Sequence, residues 1–168
     1  GAEYPERPSR LIAPYPPGGC NDVTARIRAQ RLGERLGQTV IIDNRPGGGS
    51  VVGTVMAAKA PADGYTLLYG GGSTFVINPV LLKNLPYDPL KTFDAIGLVC
   101  RTPLAVLAHP AVPAGSVKEL IAVLAGKPGQ YSYGSFGNGT VSHFAGEMFV
   151  AATGVKVLHV PYKGSTPS

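Results

Sequence analysis

A strand-to-helix turn near the start of the chain places the strongest limit on its fold. Residues 11–24 read LIAPYPPGGCNDVT, so an apolar run ends at prolines and glycines and a helical pattern begins immediately. A helix that starts at a glycine-rich turn presents unpaired backbone N–H groups and the positive end of its dipole. The stretch therefore predicts an anion-binding loop. The alternative is that residues 16–19 only shape a turn between a strand and a helix.

The same arrangement recurs along the chain. We predict strands at 9–14, 39–43 and 65–69, each followed by a turn rich in glycine or proline. Because crossovers between parallel strands are right-handed, these turns should gather at one edge of a parallel sheet. The pattern predicts an α/β fold in which glycine-rich loops carry the function.

Capping residues and apolar spacing predict the helices of this first part. The first helix starts at Asn21 or Asp22, either of which can cap it, and ends near Gly37. The second spans 51–59, and a short broken helix covers 75–82.

A second series of elements begins near residues 98–104, where we place a domain boundary between units 1–99 and 100–168. Strands are expected towards the end of 93–100 and at 104–108, and Ser116 caps a helix at 117–125. Thr140 or Ser142 caps a later helix that ends near 153. Two further strands, at 131–134 and 156–160, flank that helix.

Charge and cysteine content narrow the function classes. The net charge of +5 is scattered rather than clustered, and aromatic residues do not alternate with basic ones, so nucleic acid is not expected as a partner. A mild positive field favours small acids, although a solvated basic surface without a role fits equally. Cys20 and Cys100 lie outside any metal-binding spacing, and a disulfide between them stays open. No apolar run reaches membrane length, and the polar start fits an exported protein after signal removal or a cytosolic one.

Motifs for catalysis or cofactors are incomplete. Residues 137–142 approach a dinucleotide fingerprint, but no acidic residue ends the following strand to bind a ribose. His143 and Glu147 share a helix face without a third metal ligand, so we expect neither a metal nor a cofactor. Ser135 does not lie in a nucleophile elbow, and no histidine is placed near Cys20. An enzyme acting on a carboxylated or phosphorylated metabolite remains the alternative, with Asp22 and His143 as its acid–base pair.

Several short motifs along the chain carry a family resemblance. In their order and spacing they are similar to those of the solute receptors of tripartite tricarboxylate transporters, the Bug or TctC type. The matching stretches are RLIAPYPPGG at 10–19, NRPG at 44–47, DGYTLL at 63–68, LPYDP at 85–89, KPG at 127–129, GNG at 137–139 and VPYKG at 160–164.

The resemblance implies a periplasmic binding protein of type II, with two α/β domains that close like a Venus flytrap on a small carboxylate and pass it to membrane permease subunits. The ligand is then a dicarboxylate or tricarboxylate, an acidic amino acid or an aromatic acid. The candidate ligand-binding residues come from the glycine-rich loops and from this resemblance. They are Pro17, Gly18, Gly19, Cys20, Asn21, Asp22, Ser73, Thr74, Asn138, Gly139, Thr140, Ser142, His143 and Tyr162.

Two departures from the family pattern affect these expectations. The family usually has a small or hydroxyl residue where Cys20 stands, which alters the hydrogen bonding of the pocket. Family members also continue beyond the VPYKG stretch, so the resemblance implies a C-terminally truncated receptor. Apolar faces and strand edges would then be uncovered, and we expect weak ligand binding by this chain alone, or self-association.

Overall fold

The structure, a computed structural model, describes residues 4–164. Five strands and five α-helices alternate along this range, except that the third and fourth helices follow one another. The strands are β1 (Ser9–Ala13), β2 (Val40–Asn44), β3 (Thr66–Leu68), β4 (Ser132–Ser135) and β5 (Leu158–Pro161), and the helices are α1 (Cys20–Leu36), α2 (Val51–Ala58), α3 (Asn78–Leu81), α4 (Val117–Gly126) and α5 (Val141–Thr153). A 3₁₀ turn at Gly48–Ser50 precedes α2, and a π-helical turn at Ser73–Ile77 precedes α3.

The first sheet has three parallel strands in the order β2-β1-β3. Leu11 of the central strand lies opposite Ile42 on one side and Leu67 on the other. Ile12 and Ala13 are fully buried, as expected for a strand covered on both faces. All three strands end at the same edge of the sheet, which confirms the predicted gathering of the three glycine-rich loops.

Helix α1 packs on this sheet through small side chains. Ala25 and Ala29 are buried against Leu11 and Tyr69, so the helix approaches the strands closely. The predicted start of the helix was wrong. It begins at Cys20, and its N-cap residue is Gly19 rather than Asn21 or Asp22.

The physical reason for this shift is the direction of the Asp22 side chain. Its carboxylate reaches back past the helix start and accepts a hydrogen bond from the Gly18 N–H at 2.9 Å. Asp22 thus holds the loop before the helix instead of capping the helix, and the helix begins two residues earlier, at Cys20.

The second sheet pairs β4 and β5 in parallel, with α5 as the crossover between them. Thr140, not Ser142, caps α5, because its hydroxyl oxygen accepts the His143 N–H at 3.4 Å. The Ser142 hydroxyl accepts the Phe136 N–H at 2.9 Å instead. In α4 the predicted cap is confirmed, since Ser116 accepts the Glu119 N–H at 3.2 Å.

The strands expected within 93–108 were wrong. This segment is irregular, and no strand among residues 4–164 pairs with it. Its apolar side chains are largely exposed, for example Ile96 at 86% and Leu107 at 90%. A run of apolar residues forms a strand only where a neighbouring strand supplies hydrogen bonds and a core covers its side chains.

The proposed domain boundary falls within this irregular segment. One sheet lies before it and one after it in the chain, but the boundary itself stays a prediction. Within residues 4–164, none of the helices combines the length and the apolar character needed to cross a membrane.

Candidate functional site

The loop between β1 and α1 is held in place by Asp22. This side chain is 3% exposed, and its carboxylate accepts hydrogen bonds from Gly18 N at 2.9 Å, Arg26 Nε at 2.9 Å and Asn44 Nδ2 at 2.8 Å. Burial alone raises the pKa of Asp22, but the hydrogen bonds from Arg26, Gly18 and Asn44 outweigh it and leave the pKa below its ordinary value. Asp22 is therefore an ionised residue that positions the loop.

Apart from the buried Asp22, the first residues of α1 are open to solvent. Cys20 and Asn21 are exposed, and the N–H groups of the first helical turn have no acceptor within the helix. Gly18 has φ +83°, a left-handed conformation in which a side chain would be strained. The loop thus presents backbone donors rather than side-chain charge.

A buried cluster of hydroxyl groups lies under the other two loops of the first sheet. The Ser50 and Thr74 hydroxyl oxygens are 3.0 Å apart, and the Thr54 hydroxyl donates to the Ser50 carbonyl oxygen at 2.8 Å. Thr54 and Thr74 are fully buried. Burial raises the pKa of Tyr15 to about 12, and a hydrogen bond with Thr74 offsets part of that rise.

Two further side chains, one in α3 and one in the segment after it, fix these loops. The Asn78 amide donates to the Gly49 carbonyl oxygen at 2.9 Å, and the Tyr87 hydroxyl donates to the Thr74 carbonyl oxygen at 2.8 Å. Ser73 and Thr74 were candidates from the sequence, whereas Ser50, Thr54 and Asn78 were missed. The small polar residues of the NRPGGGS stretch and the NP pair at 78–79 were the only signal of this cluster.

In the second sheet, the loop between β4 and α5 is organised around His143. The Gly139 N–H donates to His143 Nδ1 at 3.3 Å, and the Thr140 hydroxyl donates to the Gly137 carbonyl oxygen at 2.6 Å. The His143 ring stacks on His159, with ring centroids 4.1 Å apart and an angle of 5° between the planes.

His159, which was not among the candidates from the sequence, lies at the centre of this polar group. Its Nε2 is 2.7 Å from the hydroxyl oxygen of the fully buried Ser135. Burial lowers the pKa of His159, and the neighbouring His143 lowers it further, against a smaller opposing effect of Glu147. Glu147 accepts a hydrogen bond from the Tyr133 hydroxyl at 2.6 Å and lies 3.8 Å from His143 Nε2.

The loops of the two sheets meet directly. A Cβ placed on Gly49 would lie 3.5 Å from the Asn138 carbonyl oxygen. One placed on Gly72 would lie 2.8 Å from Val141 Cγ2. Glycine at these points lets strand-to-helix loops from both sheets approach to van der Waals contact.

Most of the candidate residues line one large open groove, which also extends along α1 and the irregular segment at 93–108. Those that line the groove are Gly19, Cys20, Asn21, Ser73, Asn138, Gly139, Thr140, Ser142 and Tyr162. Those that do not line it are Pro17, Gly18, Asp22, Thr74 and His143. Among residues 4–164, no three His, Cys, Asp or Glu side chains form a cluster that could hold a metal ion.

The chain matches a known family of proteins. The model of the tripartite tricarboxylate transporter family receptor matches residues 24–168. A UPF0065 protein of Bordetella pertussis is 41% identical over 161 residues, which are 96% of this chain and 50% of that protein. BugT of the same organism is 38% identical over 166 residues, which are 98% of this chain and 51% of BugT. The chain thus spans about half the length of the curated relatives it matches.

Solved structures show the same similarity in three dimensions. The periplasmic binding protein BugD has a TM-score of 0.83 at 35% identity, and the alignment covers 98% of this chain and 55% of BugD. Rpa4515 of R. palustris, solved with adipate, has a TM-score of 0.83 at 34% identity, with 98% and 55% of the two chains covered. MatC from Rhodopseudomonas palustris, solved with bound malate, has a TM-score of 0.88 at 27% identity, with 98% and 56% covered.

The fold expectation is confirmed, since this parallel α/β chain aligns over 98% of its length with the periplasmic binding protein BugD. The matched region covers most of the chain, and identities above 30% extend over nearly all of it. The chain belongs to the tripartite tricarboxylate transporter receptor family, the TctC or Bug type.

Proposed function

We propose that this chain supplies the binding loops of a periplasmic solute receptor, which holds a small carboxylate between its two sheets and delivers it to the membrane subunits of a tripartite tricarboxylate-type transporter. The observation that carries the proposal is the contact of the Gly49 and Gly72 loops of the first sheet with residues 138–141 of the second, together with the start of α1 and residues 138–142 lining the same groove. Backbone N–H groups at such loops suit the oxygen atoms of a carboxylate.

The ligand class follows from the chemistry of the donors. The two related structures solved with adipate and with malate hold dicarboxylates. We infer that the ligand of this chain carries at least one carboxylate at the α1 loop. Its distal group faces the loop between β4 and α5, and a dicarboxylate or tricarboxylate, an acidic amino acid or an aromatic acid would satisfy this.

The groups available at the groove favour binding over chemistry. The acid–base pair proposed for an enzyme, Asp22 and His143, is engaged elsewhere. Asp22 accepts from Gly18, Arg26 and Asn44, while His143 stacks on His159. A general base needs a free, aligned acceptor next to the substrate, and neither residue lines the groove. If Asp22→Asn or His143→Ala abolished a catalytic turnover and left ligand binding intact, the result would support the enzyme alternative instead.

A proline substitution at the first residue of α1 tests the role of its backbone. Gly19 has φ −77° and ψ 167°, an extended conformation that proline accepts in the residue before it. Cys20→Pro therefore removes one N–H donor while keeping the helix. We expect the affinity for adipate, measured by isothermal titration calorimetry, to fall about tenfold, the value of one hydrogen bond to a charged group.

Two variants control this experiment. Cys20→Ser removes the thiol but keeps the N–H, and should bind adipate at least as tightly as the unmodified chain. Val117→Pro makes the same change at the first residue of α4, away from the α1 loop, and should leave binding unchanged. Equal binding by the Cys20→Pro and Val117→Pro variants would contradict a ligand held at the start of α1.

A further inference from the structure

The two cysteines of this chain lie at the ends of one chain of polar contacts. Cys20 opens α1, and Cys100 lies in the irregular segment before α4. The Thr24 hydroxyl donates to the Cys20 carbonyl oxygen at 2.9 Å and is 2.8 Å from the Tyr69 hydroxyl oxygen. The same Tyr69 oxygen lies 3.5 Å from the sulfur of Cys100. Cysteines that are distant in sequence are thereby brought to one side of α1.

Helical geometry puts the Cys20 side chain on that same side. Residues four positions apart lie on one face of a helix, so Cys20, Thr24 and Arg28 form a single stripe along α1. Thr24 contacts Tyr69, and Arg28 Nη2 donates to the Val99 carbonyl oxygen at 3.2 Å. The segment that carries Cys100 therefore lies along the stripe that begins at Cys20.

The environment of Tyr69 agrees with two nearby thiols. Burial raises the pKa of its hydroxyl most, the hydrogen bond with Thr24 lowers it, and the Cys100 and Cys20 thiols both add to the rise. Both cysteines are free and exposed, so a small disulfide in solution can reach either sulfur.

We propose that Cys20 and Cys100 are a site of reversible covalent modification, in which an intramolecular disulfide joins the first turn of α1 to the segment before α4. One cysteine thiolate attacks a low-molecular-weight disulfide and releases the first small thiol. The second cysteine thiolate then attacks the mixed disulfide and releases the second. The two cysteines are oxidised, the small disulfide is reduced to two thiols, and the two cysteine protons end on those thiols.

This modification is independent of the proposed carboxylate. The sulfur of Cys20 lies beside the α1 loop whatever that loop binds, and the test below contains no ligand. Failure of the disulfide would therefore leave the proposed function untouched, and failure of carboxylate binding would leave the disulfide in place.

The test equilibrates the chain with reduced and oxidised glutathione, in native buffer and in concentrated guanidinium chloride. Samples are quenched with acid, alkylated and measured by intact mass spectrometry. We expect an internal disulfide within single chains, with an equilibrium constant at least tenfold larger in native buffer, because the fold holds the Cys100 sulfur against Tyr69, which contacts α1 one turn from Cys20. Far-UV circular dichroism confirms the native and the unfolded states.

Cys20→Ser and Cys100→Ser serve as matched controls. Each should carry at most one mixed disulfide with glutathione and no internal cross-link. An equilibrium constant in native buffer that is equal to or below the value in denaturant would overturn the proposal. A native product consisting mainly of disulfide-linked dimers would overturn it as well.

Discussion

Asp22 lies in the loop that the sequence marks for anion binding, yet its carboxylate is occupied by groups of the protein itself. It joins the turn at Gly18, the side chain of Arg26 and the end of β2 at Asn44. The sequence shows an acidic residue in the first turn of a helix, a position where the dipole favours it. It does not show that β2 ends beside this helix, which is what turns Asp22 into an anchor.

Asp22→Asn tests this positioning role. The amide keeps the shape of the side chain but directs N–H groups or a neutral oxygen at Gly18, Arg26 and Asn44. Because a buried hydrogen-bonding group is left mismatched, we expect the free energy of unfolding to fall by about 1–3 kcal/mol. Urea denaturation measures this change. The control Asp94→Asn changes an exposed carboxylate and should change the free energy of unfolding by less than about 0.5 kcal/mol. Equal losses of stability in the two variants would contradict the role of Asp22 as an anchor of the loop.

His159 makes a second prediction, for the dependence of stability on pH. Its pKa is lowered in the folded chain, first by burial and then by His143. The unfolded chain takes up a proton near the ordinary histidine pKa of about 6.5, while the folded chain resists it. The stabilising contribution of neutral His159 is therefore complete above about pH 6.5 and is lost as the pH falls below that value.

Unfolding measured in urea from about pH 7.5 to pH 5 checks this expectation for His159. His159→Gln should lower stability at neutral pH and flatten the loss on acidification. The control His109→Gln alters an exposed histidine and should keep the slope of the unmodified chain. If the His159→Gln variant kept the same slope of stability against pH, the loss of stability in acid would have to come from other groups.

At the scale of elements, the sequence predicts the repeated strand, turn and helix units well. Runs of β-branched residues mark β2, and clusters of proline and glycine mark the turns, so local preferences and tertiary structure agree there. They disagree at 93–108, where short apolar runs meet no partner strand among residues 4–164. The hydroxyl cluster and the stacked histidines also escaped prediction, because Ser50 meets Thr74, and His143 meets His159, only through packing between separate elements.

The N-caps of α4 and α5 allow an internally controlled prediction. Ser116→Ala and Thr140→Ala each remove a hydroxyl that caps a helix, so each should cost about 0.5–2 kcal/mol in urea denaturation. Thr140 lines the groove and Ser116 does not. We therefore expect Thr140→Ala alone to weaken adipate binding in calorimetry, by severalfold beyond any effect of Ser116→Ala. If the two variants bound adipate equally well, the start of α5 would not be part of the ligand site.

For the whole molecule, the exposed apolar side chains of 93–108 predict an association between chains. Leu98 is 75% exposed and Leu107 is 90% exposed, so large apolar side chains of this segment face solvent. Sedimentation velocity should show a concentration-dependent increase in mass, which Leu98→Asp combined with Leu107→Asp reduces. A chain that stays monomeric at high concentration without these substitutions would contradict this expectation.

The central claim is that one carboxylate ligand engages loops of both sheets. Its most direct test is the titration of the ¹⁵N-labelled chain with adipate, followed by two-dimensional amide NMR spectra, which detect even weak binding. The neutral diamide of adipate is the matched control.

We predict that adipate shifts the amide signals of residues 18–21 and of residues 138–143 with one common dissociation constant, and that the diamide does not. Shifts confined to one of these loops, or equal shifts with the neutral diamide, would contradict the claim.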